Sequence, residues 1–293
     1  MFIRSACHAP NRVEGGKSLT NKYNIPAIGF GTFDRRGDAG VAAIGYALEL
    51  GYRHLDTAQS YETERECGEA LRKSGLKRSE VFLTTKVTGA NSAAGKLIPS
   101  LEQSAQNLGV DAIDLALIHW PVTPSGRLDM RSYLGELAEA QARGLTRLIG
   151  VSNFTIADLE EAKTILGPGR LANHQFERHP YLQNQKLVNY CQYNGISVTC
   201  YLPLARGRCA GDPVIEGIAA RHSATPHQIA LAFSLNQGLI VIPTSGKHER
   251  IKENFEAGDI VLSPDDIAAI TGRDKAERQI NPSWGPAWDQ QPA

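Results

Sequence analysis

Ile113-Asp114-Leu115-Ala116-Leu117-Ile118-His119 is a short apolar run that ends on a titratable side chain. Side chains alternate between faces along an extended chain, so His119 shares a face with Leu117 and Leu115. As a buried strand, the run turns two leucines to one side of a sheet and aims a histidine at its end. Seven further runs of this kind flank it, at residues 27–30, 53–56, 81–86, 147–151, 172–176, 197–201 and 239–242. Between and after them, apolar residues recur at three- and four-residue spacing in 39–50, 64–73, 95–108, 132–143, 155–166, 185–194, 213–222, 226–236, 247–256 and 264–271, the pattern of amphipathic helices. Thr155 leads Asp158 at capping-box spacing, and Ser263, Pro264 and Asp265 open the last of these helices.

Eight strands followed by helices, with no linker between halves, predict an α/β fold of the (β/α)8 TIM barrel type, a single domain over residues 1–293. Residues 1–24 form a leader in which Gly15, Gly16 and Asn21 suit a short N-terminal hairpin under the barrel. The segment 279–293 holds Pro282, Pro286 and Pro292 and predicts an irregular C-terminal loop. A doubly wound dinucleotide fold is the rival, but no strand is followed by Gly-x-Gly-x-x-Gly. The stretch from Gly89 to Lys96 resembles a phosphate loop but has one residue too many between its glycines, and Leu97 where Ser or Thr is needed.

Composition narrows the function classes. The chain has 293 residues, with 31 Lys plus Arg against 31 Asp plus Glu, so nothing favours nucleic acid or an anionic membrane surface as a partner. No run of 18 apolar residues exists, and the first 17 residues lack the apolar centre of a secretory signal. Five widely spaced cysteines without a Cys-x-x-Cys pair predict free thiols and a cytoplasmic setting.

Parallel barrels carry their chemistry at the C-terminal ends of the strands. There the sequence sets Asp56, Lys86, His119, Asn153, Gln175 and Tyr201. A strand-end histidine standing alone is as readily structural; beside Asp56 and Lys86 it becomes a candidate for chemistry. A metal-dependent barrel hydrolase is one alternative, since His54 and Asp56 share a strand face and His119, His174 and His179 are available. Their spacing does not repeat the His-x-His opening of such enzymes, and Lys86 would have no role there.

The same residues carry a resemblance. Gly51-Tyr52-Arg53-His54-Leu55-Asp56-Thr57-Ala58-Gln59-Ser60-Tyr61, Thr85-Lys86-Val87, Leu117-Ile118-His119-Trp120-Pro121 and Ile149-Gly150-Val151-Ser152-Asn153-Phe154 resemble, in order and spacing, the aldo-keto reductases. Gln175-Phe176-Glu177, Tyr201-Leu202-Pro203-Leu204 and the span from Ile242-Pro243 to Asn254 extend the likeness over roughly residues 20 to 275. The short polar loop 121–130 and the tail Pro282-Ser283-Trp284-Gly285-Pro286-Ala287-Trp288-Asp289 resemble bacterial reductases of the 2,5-diketogluconate and methylglyoxal type.

The resemblance implies NADPH-dependent reduction of aldehydes and ketones by a cytoplasmic monomer, with a catalytic tetrad at Asp56, Tyr61, Lys86 and His119. Tyr61 would be the general acid, Lys86 would lower its pKa, Asp56 would hold Lys86, and His119 would bond the substrate oxygen. Ser152, Asn153 and Gln175 would grip the nicotinamide carboxamide and Tyr201 would stack on its ring. Gly31, Thr32, Asp56 and Leu204 would also line the cofactor, and Ser245, Arg250 and Asn254 would take the adenosine 2′-phosphate.

Phe33 and Trp120, with Trp284 or Trp288, would wall the substrate mouth. Thr244 stands where the family's phosphate lysine is expected, which leaves room for some NADH use and for help from Lys247 or His248. Thr63-Glu64 replaces the usual Asn-Glu after the tyrosine. A non-catalytic NADP(H)-binding relative of these enzymes is the remaining alternative, against which the complete tetrad speaks.

Overall fold

A computed structural model describes residues 21–289. Its strands, in chain order, are β1 (Phe30–Gly31), β2 (His54–Asp56), β3 (Phe82–Val87), β4 (Ile113–Ile118), β5 (Val122–Thr123), β6 (Gly126–Arg127), β7 (Thr146–Ser152), β8 (Asn173–Glu177), β9 (Ser197–Tyr201) and β10 (Ile240–Val241). All but β5 and β6 form one eight-stranded parallel sheet, ordered β1-β2-β3-β4-β7-β8-β9-β10. The sheet curls until its ends meet. Gly29 N–H donates to Val241 O at 2.8 Å, Val241 N–H to Ala27 O at 2.9 Å and Gly31 N–H to Pro243 O at 3.0 Å. These seam bonds leave no open edge, the arrangement expected of a (β/α)8 barrel.

The helices are α1 (Gly37–Leu50), α2 (Glu64–Ser74), α3 (Leu97–Leu108), α4 (Met130–Ala142), α5 (Ile156–Leu166), α6 (Gln185–Tyr193), α7 (Pro213–Arg221), α8 (Pro226–Leu235), α9 (His248–Glu256) and α10 (Pro264–Thr271). Each falls on a segment of helical period. The Thr155 capping box closes as its spacing requires, and Ser263 caps α10 through Asp266 in the same way. Strand alternation also holds in β4: Leu115 and Leu117 pack inside the barrel with Phe82, Ile240 and Ile25, while Ala116 and Ile118 join the larger core shared with the helices. Gly150 of β7 makes room for this inner layer, because a Cβ there would lie 2.7 Å from Leu117 Cδ2.

Beneath the barrel the Asn21 side chain accepts from Tyr23 N–H and Ile25 N–H, bending the chain so that Ile25 is buried under the inner leucines. Gly15 and Gly16 of the expected hairpin lie outside the described residues, as does Cys7; Cys67, Cys191, Cys200 and Cys209 are buried free thiols. The loop after β4 departs from the simple polar loop expected there. It forms the antiparallel β5–β6 hairpin, which Arg127 fastens to α5 through Asp158 (2.5 Å) and Glu161 (3.0 Å). The tail is irregular, as its prolines require, and it is anchored. Gln279 and Ile280 N–H groups donate to the buried Glu177 carboxylate at 2.7 and 2.8 Å, and Asp289 accepts from Ile156 N–H at 3.0 Å. Among the described residues no helix is long and apolar enough to cross a membrane.

Candidate active site

The tetrad residues come together at the C-terminal ends of β2, β3 and β4, which lie side by side in the sheet. Lys86 Nζ donates to Asp56 Oδ1 at 2.5 Å and to Thr57 O at 2.9 Å, and both side chains of the ion pair are fully buried. The same ammonium lies 4.7 Å from the centre of the Tyr61 ring. Tyr61 sits on a single 3-10 turn after β2, closed by Glu62 in the left-handed region at φ 57°. Gln59 pins that turn: its amide donates to Ser100 and Ser104, and its carbonyl accepts from Thr88 N–H and Asn91. The His119 ring meets Tyr61 edge to face at 5.7 Å, and its Nδ1 is 3.4 Å from Ser60 Oγ.

Burial and charge oppose each other here. Burial alone would discharge Lys86, but Asp56 and Tyr61 favour its proton and carry its pKa above the ordinary lysine value. For Tyr61 the expected lowering by Lys86 is present but does not carry the pKa into the operating range. Lys86 acts in that direction, yet burial opposes it more strongly and the phenol is held above its ordinary value. Tyr61 therefore keeps its proton at neutral pH. Burial, with Lys86 nearby, pushes His119 down to about 3, so its imidazole is neutral.

Beside this group, Ser152, Asn153 and Gln175 close a second cluster from β7, the turn after it and β8. Asn153, left-handed at φ 62°, donates to His119 O at 3.0 Å and to Ser152 Oγ at 3.1 Å, and accepts from Tyr201 OH at 2.8 Å. Gln175 Nε2 donates to the second Asp56 oxygen at 2.8 Å. An amide facing a carboxylate must present its nitrogen, so Oε1 is the atom left over, and it is buried without a hydrogen-bond partner. A buried acceptor of this kind needs a donor. The carboxamide N–H of a nicotinamide supplies one, and these residues fit that group.

Gly31 lies on the seam, its N–H on Pro243 O, which ties the β1–α1 loop to the β10–α9 loop. Thr32 is spent within the fold: its hydroxyl donates to Asp56 O and meets Thr63 Oγ1, both at 3.0 Å. Leu204 is half-buried after β9. Ser245 Oγ accepts from Lys247 N–H at 3.1 Å where α9 begins; Arg250 is exposed and has no ion-pair partner among the described residues; Asn254 is buried. His248 stacks on Tyr46 at 3.9 Å, committed to α1. At the mouth Phe33 is 61 % exposed and touches Tyr61 edge-on at 5.2 Å. Trp284 and Trp288 meet Trp120 at 5.1 and 5.9 Å, and the Arg278 guanidinium lies 3.7 Å over Trp288.

The model of the Aldo/keto reductase family matches residues 27–275. The chain belongs to the aldo/keto reductase family. It is an NAD(P)H-dependent carbonyl oxidoreductase of that family. It is 43 % identical over 266 residues to the methylglyoxal reductase DkgB of Salmonella typhi, covering 90 % of this chain and 99 % of the relative. A crystal structure assigned as 2,5-diketo-D-gluconic acid reductase B superposes with a TM-score of 0.88 at 38 % identity, over 92 % of this chain and 96 % of the other. The Bombyx mori aldo-keto reductase solved with NADP superposes with a TM-score of 0.81 at 32 % identity, over 88 % of this chain and 92 % of that one.

Within this reductase the Thr63 departure has a local reason. Thr63 Oγ1 bridges Thr32 and Thr57 in a buried threonine cluster, and Glu64 accepts from Thr85 and Asn107, so the turn after Tyr61 is braced without an asparagine. Three of the four histidines of the metal alternative are engaged elsewhere. His54 Nε2 meets Thr84, His174 accepts from Phe154 N–H and His179 bonds Glu177. Among the described residues no group of three or more His, Cys, Asp or Glu side chains gathers for a metal. Sequence reading passed over Gln59, Ser60 and Glu177. Gln59 and Ser60 lie inside the motif that ends on Tyr61, and Glu177 closes Gln175-Phe176-Glu177, so the signal was present, but their partners are remote in the chain.

Proposed function

We propose that this aldo/keto reductase reduces small, polar aldehydes and ketones, with Tyr61 as the proton donor. The observation that carries this reading is the buried Lys86–Asp56 pair beneath a protonated Tyr61, with a neutral His119 at its edge. The reduced nicotinamide, when bound, supplies the hydride. Ser152, Asn153 and Gln175 would hold the cofactor's carboxamide, and Tyr201, fixed by its bond to Asn153, would pack on the ring. Tyr61 and His119 would both reach the substrate oxygen. As charge develops there, Tyr61 O–H passes its proton to that oxygen, and the charged Lys86 stabilises the tyrosinate left behind. Asp56 keeps Lys86 charged and in place. Ser60 at Nδ1 leaves His119 Nε2 free for the substrate.

Substrate size and polarity follow from the mouth. The β5–β6 hairpin is short, so Phe33, Trp120, Trp284 and Trp288 supply its apolar walls, a space suited to compact dicarbonyls and keto sugar acids. The names of the methylglyoxal and diketogluconate reductase relatives agree with that class. We take the whole chain, 1–293, as one (β/α)8 barrel domain acting as a cytoplasmic monomer, with Ser245, Arg250 and Asn254 on the 2′-phosphate and with some use of NADH.

The test is NADPH consumption, followed by absorbance, against methylglyoxal, a diketo sugar acid, an aromatic aldehyde and a bulky ketone. Turnover greatest with the small polar carbonyls is expected. A preference for the bulky ketone would reject the substrate class, and NADPH binding without any turnover would favour the non-catalytic alternative.

A further inference from the structure

The loop after β10 carries Thr244 where the resemblance to the aldo-keto reductases implies a phosphate-binding lysine. We propose that Arg35, from the loop between β1 and α1, supplies the missing cation for the adenosine 2′-phosphate and so sets the preference for NADPH over NADH. This rests on the cofactor reading above and names a residue that reading leaves out.

The placement comes from Gly246. A Cβ built on Gly246 would lie 2.4 Å from Arg35 Nη1 and 3.7 Å from its Cζ, so the guanidinium rests directly on the backbone next to Ser245. The approach is possible because residue 246 has no side chain. The seam bond from Gly31 N–H to Pro243 O keeps the two loops side by side. Arg35 is otherwise weakly committed: its contacts with Phe33 O (3.4 Å) and Asp34 (3.5 Å) are long, and the Asp34 carboxylate is open to solvent. Its neighbour Arg36, by contrast, pairs with Glu62 at 3.2 Å. The guanidinium therefore has donors free for an oxyanion and can hold a phosphate bidentately. His248, one alternative source of charge, is stacked on Tyr46, and Lys247, the residue before α9, is exposed.

The test measures dissociation constants for NADPH and NADH by quenching of tryptophan fluorescence, with adenosine 2′-monophosphate as competitor. It uses the full chain and four variants: Arg35→Ala, Arg35→Lys, Gly246→Ala and Lys247→Ala. Arg35→Ala should weaken NADPH about tenfold or more, as loss of a charge-assisted hydrogen bond does, and leave NADH within about twofold. It should weaken adenosine 2′-monophosphate in parallel, and Arg35→Lys should restore part of the loss. Gly246→Ala should reproduce the selective loss by displacing the guanidinium, since the flexible arginine yields before the backbone does. Equal weakening of NADPH and NADH would overturn the proposal by moving Arg35 to the pyrophosphate. A selective loss confined to Lys247→Ala would overturn it too. Failure of the unaltered protein to bind either dinucleotide would instead reject the cofactor reading underneath.

Discussion

In the proposed mechanism Tyr61 holds its proton until the substrate oxygen needs it; burial raises the Tyr61 pKa and Lys86 works against that rise. Tyr61→Phe keeps the ring and its contacts with Phe33 and His119 and removes only the acid. Carbonyl reduction should fall by at least about 10²-fold while the NADPH dissociation constant stays unchanged. Retention of most of kcat would end the assignment. Lys86→Met strands Asp56 as a buried, unpaired carboxylate, and breaking a pair of this kind costs about 3–5 kcal/mol. Its melting temperature should drop sharply, and adding Asp56→Asn should recover much of the stability but none of the activity. Recovery of activity in the double variant would show that the ion pair serves stability alone. Asp56, Lys86 and His119 are legible in the sequence as strand-end side chains, whereas Tyr61 is legible only through the resemblance of its motif to the aldo-keto reductases. The net pKa of Tyr61 is not legible, because it depends on how deeply the ring is buried as well as on the charge beside it.

At the scale of elements, one carboxylate fastens the tail across the mouth. Burial would raise the Glu177 pKa, but donation from His179 and from the Gln279 and Ile280 N–H groups outweighs it, and the carboxyl sits below the usual carboxylate range. A depressed carboxylate contributes its stability above the unfolded value of about 4.3 and loses it as pH falls below that through the folded value. The tail should thus remain docked at pH 5 and release only in stronger acid. Limited proteolysis between Arg273 and Trp288 would detect that, and cleavage already enhanced at pH 5 would exclude the mechanism. Glu177→Gln should loosen the same segment at neutral pH and raise KM more than it lowers kcat, because Trp284 and Trp288 lose their place against Trp120. An unchanged KM would mean that these rings do not wall the substrate. The irregular tail was readable from Pro282 and Pro286. Its anchor was not, since Glu177 lies about a hundred residues earlier in the chain. The β5–β6 hairpin was likewise hidden, because two-residue strands carry too short an alternation to stand out.

At the scale of the molecule, buried neutral histidines make the fold sensitive to acid. Burial pushes His174 down to about 3, and it lowers His54 as well. An unfolded histidine takes up its proton near 6.5, so the unfolded chain binds more protons below that value and stability falls from about pH 6.5 toward 3. By pH 5 His174 alone should cost about 2 kcal/mol, 1.36 kcal/mol per unit below its unfolded pKa. Urea midpoints at pH 7.5 and 5.0 would show it, with His174→Gln, which keeps an acceptor for Phe154 N–H, flattening the difference. A midpoint that rises toward pH 5 would reverse the sign and refute the account.

The alternation of short apolar runs with helical periods by itself determined the eight barrel strands, the helices and their order, because periodicity is a local property. The strand ends likewise marked Asp56, Lys86, His119, Asn153, Gln175 and Tyr201 as candidates, while Tyr61, Ser152 and the roles proposed for all of them came from the resemblance of their motifs to the aldo-keto reductases. What only the tertiary structure decided is what depends on contacts across the barrel. The closed seam, the unmet acceptor of Gln175, the neutral His119, the Glu177 anchor and Arg35 lying on Gly246 all join residues far apart in the chain, where burial and approach, not local pattern, set the chemistry.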